Sequence, residues 1–165
     1  MSLYTIRPKP FYVSRGYSVT DINGVPVFRI NGKVRFTRTF VVEGIQDPFS
    51  FNVREKLLAI DPTYIVTQQG KQVAKVCRTT TSGKYPERFT IDLGSSGSLI
   101  ASGSLLSAIT IRKDDSVCAK IWREQETIRE TFGFETTDNS DLALLLSITM
   151  AIVETDSSRG KNPGG

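Results

Sequence analysis

The 165-residue sequence predicts a single all-β domain, a closed antiparallel barrel of roughly twelve strands around a central hydrophobic C-terminal helix. Three observations lead to this prediction. A hairpin motif recurs along the chain, glycine and proline occur about every ten residues, and one apolar segment near the C-terminus breaks the strand pattern. We expect the domain to span residues 1–156, with the helix at about 140–155 and a disordered tail at 157–165.

The recurring motif has alternating apolar residues on both sides of a turn rich in Asn, Gly, Asp or Ser, which is typical of a β-hairpin. Its copies occupy residues 17–30, 64–76 and 109–121, with a looser copy at 89–103. Directly opposed residues point to the same face of a hairpin, so the apolar pattern predicts the register. The expected pairs are Tyr17 with Ile30, Val19 with Phe28, Tyr64 with Val76, Val66 with Ala74, Ile109 with Ile121, and Ile111 with Ala119.

The loops follow from the same register. We expect a two-residue loop at Asn23-Gly24 in the first copy, and three-residue loops centred on Gly70 and Asp115 in the others. A second turn signal, Asn31-Gly32-Lys33, predicts that Ile30 faces Val34 and that Phe28 faces Phe36. Further strand patterns run from Val34 to about Val42, from Phe49 to Val53, over 54–60 and from Thr127 to Phe134.

The apolar segment from Leu142 to Val153 predicts a helix, because three consecutive leucines break strand alternation. Asp138 to Asp141 supply the capping residues and the negative charge that suit a helix start. Twelve residues are too few to cross a bilayer, which takes about 20. Apolar residues cover every face, so the helix should be buried on all sides, and the inside of a wide barrel is the place for it.

Composition argues against catalysis. The chain has no histidine, which excludes serine or cysteine catalysis with a histidine base, and leaves a zinc site without ligands. Cys77 and Cys118 are too few to staple a fold. Arg7, Pro8, Lys9 and Pro10 interrupt the start where a secretory signal would need an apolar stretch. We therefore expect a cytoplasmic, non-enzymatic protein with reduced thiols, no cofactor, no metal and no transmembrane segment.

Charge is unevenly distributed. Residues 1–122 carry 17 Lys and Arg against 9 Asp and Glu, whereas residues 123–165 carry 4 against 8. The candidate ligand site is the basic group Arg29, Lys33, Arg35 and Arg38. In the register with a loop at 31–33, Arg29 and Arg35 are opposed on the outer face, where an anion would relieve their repulsion.

Three stretches resemble the LURP-one-related family, and the likeness covers about residues 10–155. They are Thr20 to Gly24 leading into Val27 to Ile30, Arg54 to Tyr64, and Thr131 to Glu135 followed by Asp141 to Leu146 and Ala151 to Val153. The resemblance implies a twelve-stranded barrel around a helix, similar to the tubby C-terminal domain and the phospholipid scramblase core. Tubby domains bind phosphatidylinositol bisphosphate through basic residues outside the barrel, whereas the LURP-one-related family has no settled activity and includes plant members linked to pathogen defence. Scramblases also carry a proline-rich N-terminal region, a cysteine cluster and a longer apolar C-terminal helix, and this sequence contains none of the three.

Three functional interpretations follow. The first is a non-catalytic module that contacts phosphoinositides or anionic membrane surfaces through its basic wall, at the membrane periphery or in the nucleus. The second is a protein-interaction or structural barrel without lipid binding, with a role in stress or defence. The third, ranked last, is a carrier of a small apolar ligand, because the helix should fill the lumen. Nucleic acid is disfavoured, since no interleaved aromatic and basic platform recurs on one face.

Overall fold

A computed structural model describes residues 1–9, 16–33, 37–46, 49–79, 86–124, 130–137 and 142–159, and only the backbone of 156–159. Within these ranges the chain forms twelve strands, a short 3-10 turn at Gly94–Ser96 and one α-helix. The strands are β1 (Ser2–Pro8), β2 (Gly16–Thr20), β3 (Pro26–Lys33), β4 (Thr39–Gly44), β5 (Ser50–Glu55), β6 (Thr63–Gln68), β7 (Lys71–Arg78), β8 (Glu87–Asp92), β9 (Ser98–Ser104), β10 (Ala108–Lys113), β11 (Ser116–Arg123) and β12 (Phe132–Thr136), and the helix is α1 (Leu142–Arg159).

The strands form a closed antiparallel barrel in which each strand pairs with its sequence neighbours and β1 closes the ring against β12. In β1, Ile6 lies opposite Val19 of β2 and Phe132 of β12. All three side chains are buried. The predicted fold class is confirmed, although the sequence pattern did not single out β1. Closure removes the unpaired edges that an open sheet of this length would expose.

The predicted apolar pairing of the three hairpins is confirmed. Tyr17 faces Ile30, Tyr64 faces Val76 and Ile109 faces Ile121, and the neighbouring pairs agree as well. Each hairpin then shifts register by one residue, between Val19 and Thr20, between Val66 and Thr67, and between Ile111 and Arg112. Such a bulge takes up an extra residue while the rest of the strand keeps its inward and outward faces.

The bulges make the predicted loop lengths wrong. The second and third hairpins turn through two residues, at Gln69-Gly70 and at Asp114-Asp115. Positive φ angles at Gln69, Gly70 and Asp114 match the tight turns whose twist suits a hairpin. In the first hairpin the turn spans residues 21–25 rather than two residues, because the Asp21 carboxylate accepts hydrogen bonds from the backbone N–H of Asn23 and of Val25, both at 2.9 Å.

The prediction for the β3–β4 connection is also wrong. The Asn31-Gly32-Lys33 segment continues strand β3, and Ile30 faces Val42 rather than Val34. The observed register places Arg29 opposite Glu43, not opposite Arg35. An opposite-charge pair stabilises neighbouring strands where two arginines would repel each other, so the longer hairpin is favoured. Residues 34–36, including Arg35 and the predicted partner Phe36, lie outside the described residues.

Three further boundaries differ from the prediction. Strand β4 begins at Thr39 rather than at residue 34, and β12 covers Phe132–Thr136 rather than Thr127 to Phe134. The 54–60 stretch is extended only at its first two residues, which end β5. Residues 56–62 form a loop instead, with Leu57 and Leu58 in a turn.

Helix α1 is buried on every face from Leu145 to Thr155, as the apolar pattern predicts for a helix inside the barrel. Its side chains join the inward-facing strand residues in one hydrophobic core. The hydroxyls of Ser147 and Thr155 donate to the carbonyls of Ala143 and Ala151, at 2.8 and 2.9 Å, so neither is left without a partner in the core. The helix therefore takes the space that a carried ligand would need.

The helix extends to Arg159, beyond the predicted end at 155, and its last three residues belong to the segment expected to be a disordered tail. Glu154 lies inside the helix, is 1% exposed and has a partner in the barrel wall. The capping residues 138–141 and the end of the tail at 160–165 lie outside the described residues. Because the strands alternate in direction, the helix enters the barrel at the end that carries turn 21–25 and runs to the end that carries loop 56–62. We call this second end of the barrel the loop end.

Candidate functional site

The four predicted cations do not form one cluster among the described residues. Arg29 is exposed on the outer face of β3, between Ser18 of β2 and Glu43 of β4. Lys33 is exposed at the last position of β3, opposite Thr39. Arg35 lies outside the described residues. The remaining cation, Arg38, is directed towards the end of the helix.

Arg38 binds Glu154 of α1. Its Nη1 lies 3.3 Å from the Glu154 carboxylate and also donates to the Glu154 carbonyl at 3.3 Å. The carboxylate is 1% exposed and the Arg38 side chain 33% exposed, so the pair sits at the rim of the core. A buried carboxylate needs such a partner, because leaving its charge unpaired would cost several kcal/mol. Arg38 thus holds the helix and is not available as an outward-facing cation.

Tyr64 completes this polar group at the loop end. Burial raises the pKa of its phenol above the ordinary range, and the carboxylates of Glu55 and Glu154 raise the pKa further. The hydrogen bond and positive charge of Arg38 act in the opposite direction but are outweighed. The phenol is therefore neutral at physiological pH and serves as a structural group.

One cation that sequence reasoning did not select lies beside Arg29. Lys9 donates from Nζ to the Asn31 amide oxygen at 2.6 Å. The pKa of Lys9 is lowered by partial burial and then by the positive charge of Arg29, while Glu43 raises it. Lys9 and Arg29 therefore share one patch of wall, and Glu43 offsets part of their charge.

A second arrangement of cations emerges from the register of β3 to β7. One row of outward-facing residues crosses these strands as Lys33, Thr39, Arg54, Ile65 and Lys75. Cations occupy every second strand of this row, so their backbones are about 10 Å apart. We call Lys33, Arg54 and Lys75 the basic row. No local motif reveals it, because its members are separated by 21 residues along the chain.

Two outer grooves adjoin the basic row, with volumes of about 470 and about 510 Å³. The first is lined by Thr37, Thr39, Asn52, Arg54, Glu55, Lys56, Leu57, Ile65 and Thr67. The second is lined by Lys56, Ala59, Ile60, Asp61, Thr63, Lys75, Cys77, Thr90 and Asp92. Lys56 borders both. Hydroxyl, amide and cationic groups of this kind can donate several hydrogen bonds to one anion.

Carboxylates limit the positive charge of the second groove more than that of the first. Lys75 lies opposite Asp92 in the strand register, and Asp61 also lines the second groove. In the first groove the only carboxylate among the lining residues is Glu55, which accepts a hydrogen bond from the Arg38 backbone N–H at 3.4 Å. Lys33 and Arg54, separated by Thr39, are therefore the members of the row best placed to meet an anion.

Three other features are absent from the part of the chain that the structure describes: a metal-binding cluster, a disulfide and a membrane-spanning helix. There, no group of three or more His, Cys, Asp or Glu side chains could hold a metal ion. Cys77 and Cys118 are free thiols on β7 and β11, and they are too far apart around the ring to bridge. Helix α1 is not both long and apolar enough to cross a membrane, and neither is any other helix in the described ranges.

Comparison with known families gives one match. The family model described as LURP-one-related matches residues 2–153, which covers the whole barrel and most of the helix. None of the curated proteins compared with the chain matches it significantly. The match agrees with the resemblance that the sequence motifs indicate.

Proposed function

We propose that this chain, which belongs to the LURP-one-related family, is a non-catalytic module that binds anionic phospholipid headgroups through the outer face of β3 to β7. The family's barrel fold is compatible with a binding module in general. The observation that carries the proposal is the spacing of Lys33 and Arg54 on either side of Thr39. A headgroup with more than one phosphate can meet both cations at once.

The chemistry of the first groove supports an anionic ligand. The Arg54 guanidinium is a planar fork that suits phosphate oxygens, and Lys33 and Lys56 are flexible point charges beside it. The hydroxyl of Thr67 and the amide of Asn52 supply neutral donors at the same wall. Because the site is an open surface groove, a headgroup could enter it without leaving its bilayer.

The proposed binding set differs from the one that the sequence suggested. Arg38 is left out because it binds Glu154. Arg29 stays at the margin of the set, since Glu43 lies directly opposite and offsets its charge. Lys33 remains, and Arg54 and Lys56 join it as the main cations. In this proposal the protein works at the cytoplasmic surface of a membrane, whose anionic lipids attract basic protein surfaces.

Vesicle co-sedimentation tests the proposal. The protein is mixed with vesicles of phosphatidylcholine alone, with added phosphatidylserine, or with added phosphatidylinositol bisphosphate. We expect binding only when anionic lipid is present, and weaker binding at about 200 mM than at about 50 mM salt because surface charges are screened. Absence of binding to every anionic vesicle would reject the proposal and favour a protein-interaction barrel without lipid binding.

A further inference from the structure

The loop between β5 and β6 presents apolar side chains to solvent. Leu58 and Ile60 are 101% exposed and Leu57 is 61% exposed. Scattered exposed aliphatic residues are normal on a protein surface, but three within four residues of one loop form a local apolar tip. We call residues 57–60 the apolar tip.

The backbone holds the tip in this exposed position. Leu58 has a φ of +59°, a left-handed conformation that is rare for residues with a large side chain. The base of the loop is closed by the Lys56 N–H, which donates to the Thr63 carbonyl at 2.8 Å. The Thr63 hydroxyl donates to the Asp61 carbonyl at 2.9 Å. A loop fixed at its base holds Leu58 away from the barrel, while Leu57 and Ile60 border the two grooves.

Cations lie on both sides of the base of the tip, together with the carboxylates of Glu55 and Asp61. Lys56 precedes Leu57 directly, and Arg54 lies two residues earlier on the outer face of β5. Lys56 and Lys75 line the groove on the other side of the loop, which Ile60 also lines. An apolar projection with cations behind it is complementary to an anionic bilayer, whose charged headgroups lie outside an apolar interior.

We infer that the apolar tip inserts into the outer part of an anionic bilayer while Lys56 and the basic row contact its headgroups. This inference rests on the proposed lipid binding and adds its geometry, because the loop end of the barrel then faces the membrane. Strand β11 is six strands from β5 in either direction around the ring, so Trp122 lies on the opposite wall. Trp122 is the next-to-last residue of β11 and therefore also lies near the loop end, so the wild type measures how far its own tryptophan is quenched.

Fluorescence quenching by lipids brominated on their acyl chains tests the insertion. The variant Leu58→Trp places a reporter at the tip, and Ile60→Trp is a second reporter at a position without the positive φ. Ile22→Trp is the matched control, because Ile22 is a 78% exposed aliphatic residue in the turn at the other end of the barrel. Trp122 is present in every variant and supplies the same background signal.

We expect added anionic brominated vesicles to quench the Leu58→Trp and Ile60→Trp variants more strongly than the wild type, and to quench Ile22→Trp no more strongly than the wild type. We also expect the double variant Leu58→Ser/Ile60→Ser to partition onto anionic vesicles roughly tenfold more weakly than wild type, with an unchanged melting temperature.

The inference can fail in two distinguishable ways. If the tip reporters co-sediment with the vesicles but are quenched no more than the wild type, or if the double serine variant binds as well as wild type, insertion is wrong while headgroup binding stands. Such a result would also point to a protein partner for the tip. If wild type does not bind anionic vesicles at all, the proposed function fails together with the inference.

Discussion

The Nη1 atom of Arg38 lies 3.3 Å from the carboxylate of Glu154, which ties the β3–β4 connection to the far end of the central helix. The two residues are 116 positions apart in sequence, so the pair joins the wall to the helix across most of the chain. The ion pair explains why a glutamate can occupy the barrel interior. It also removes Arg38 from the outward-facing cations.

The first prediction concerns this pair. Arg38→Met should lower the free energy of unfolding by about 3 kcal/mol, because it leaves the Glu154 charge buried without its partner. The double variant Arg38→Met/Glu154→Met should regain most of that loss, since neither charge then remains. Urea unfolding of both variants and of wild type measures the difference. A single variant as stable as wild type would show that the pair does not anchor the helix.

The second prediction is that the free energy of unfolding falls at high pH because of Tyr64. Because the pKa of Tyr64 is raised in the folded state, the folded protein keeps this proton at pH values where the unfolded chain has lost it. The resulting stability is fully present below about pH 10 and declines as pH rises further, by up to about 1.4 kcal/mol per unit. Unfolding free energies at about pH 9 and about pH 11 should therefore fall more steeply for wild type than for Tyr64→Phe. Equal slopes would contradict the burial of this phenol.

The third prediction tests the position of the helix. Leu145→Asp should abolish the soluble fold, because it places an unpaired charge at a position that is 3% exposed. Leu58→Asp is the matched control, since the same change at a fully exposed leucine should leave expression and melting near those of wild type. Soluble yield and thermal melting are the measurements. If the two variants behaved alike, residues 142–153 would not fill the barrel.

The fourth prediction concerns contact between strands on the wall opposite β5. Trp122 of β11 lies directly over Gly133 of β12, and a methyl group added at Gly133 would overlap the indole ring. Gly133→Ala should therefore destabilise the barrel by about 1–3 kcal/mol. In a Trp122→Ala background the same change should cost much less, because the overlapping ring is gone. A cost that is equal in both backgrounds would exclude this contact as the cause.

The barrel could be predicted from sequence because apolar and polar residues alternate along each hairpin, and the two strands of a hairpin are close together in the sequence. Tyr17 and Ile30, or Ile109 and Ile121, are close enough in sequence for the apolar pattern to specify their pairing. The predicted β3–β4 register was wrong because it relied on a local turn signal. Asn31-Gly32 is a strong local turn signal, but the favourable pairing of Arg29 with Glu43 and the burial of Phe40 and Val42 outweigh it.

The candidate site could be predicted from the sequence only in part, because its residues are far apart along the chain. Lys33 and Arg54 become neighbours only once three strands have been paired, and the intervening Thr39 was expected inside a strand with a different register. The sequence pattern did not indicate strand β1, which ends at Pro8, although Tyr4 and Ile6 alternate as an inward face would require. Arg38 resembled a surface cation because nothing near it in sequence reveals its distant partner, Glu154.

We expect the position of cations on the wall, and not net charge, to determine binding to anionic vesicles. The most direct test compares two double variants that remove the same charge, Lys33→Gln/Arg54→Gln and Arg112→Gln/Lys120→Gln. Arg112 and Lys120 are exposed on β10 and β11, on the far side of the ring.

Affinity for vesicles containing phosphatidylinositol bisphosphate is the single measurement. At about 1 kcal/mol for each cation near an anionic surface, Lys33→Gln/Arg54→Gln should bind roughly thirtyfold more weakly than wild type. Arg112→Gln/Lys120→Gln should bind within about twofold of wild type, because its lost charges lie away from the lipid. Equal losses in the two variants would contradict the claim that the β3 to β7 wall is the binding surface.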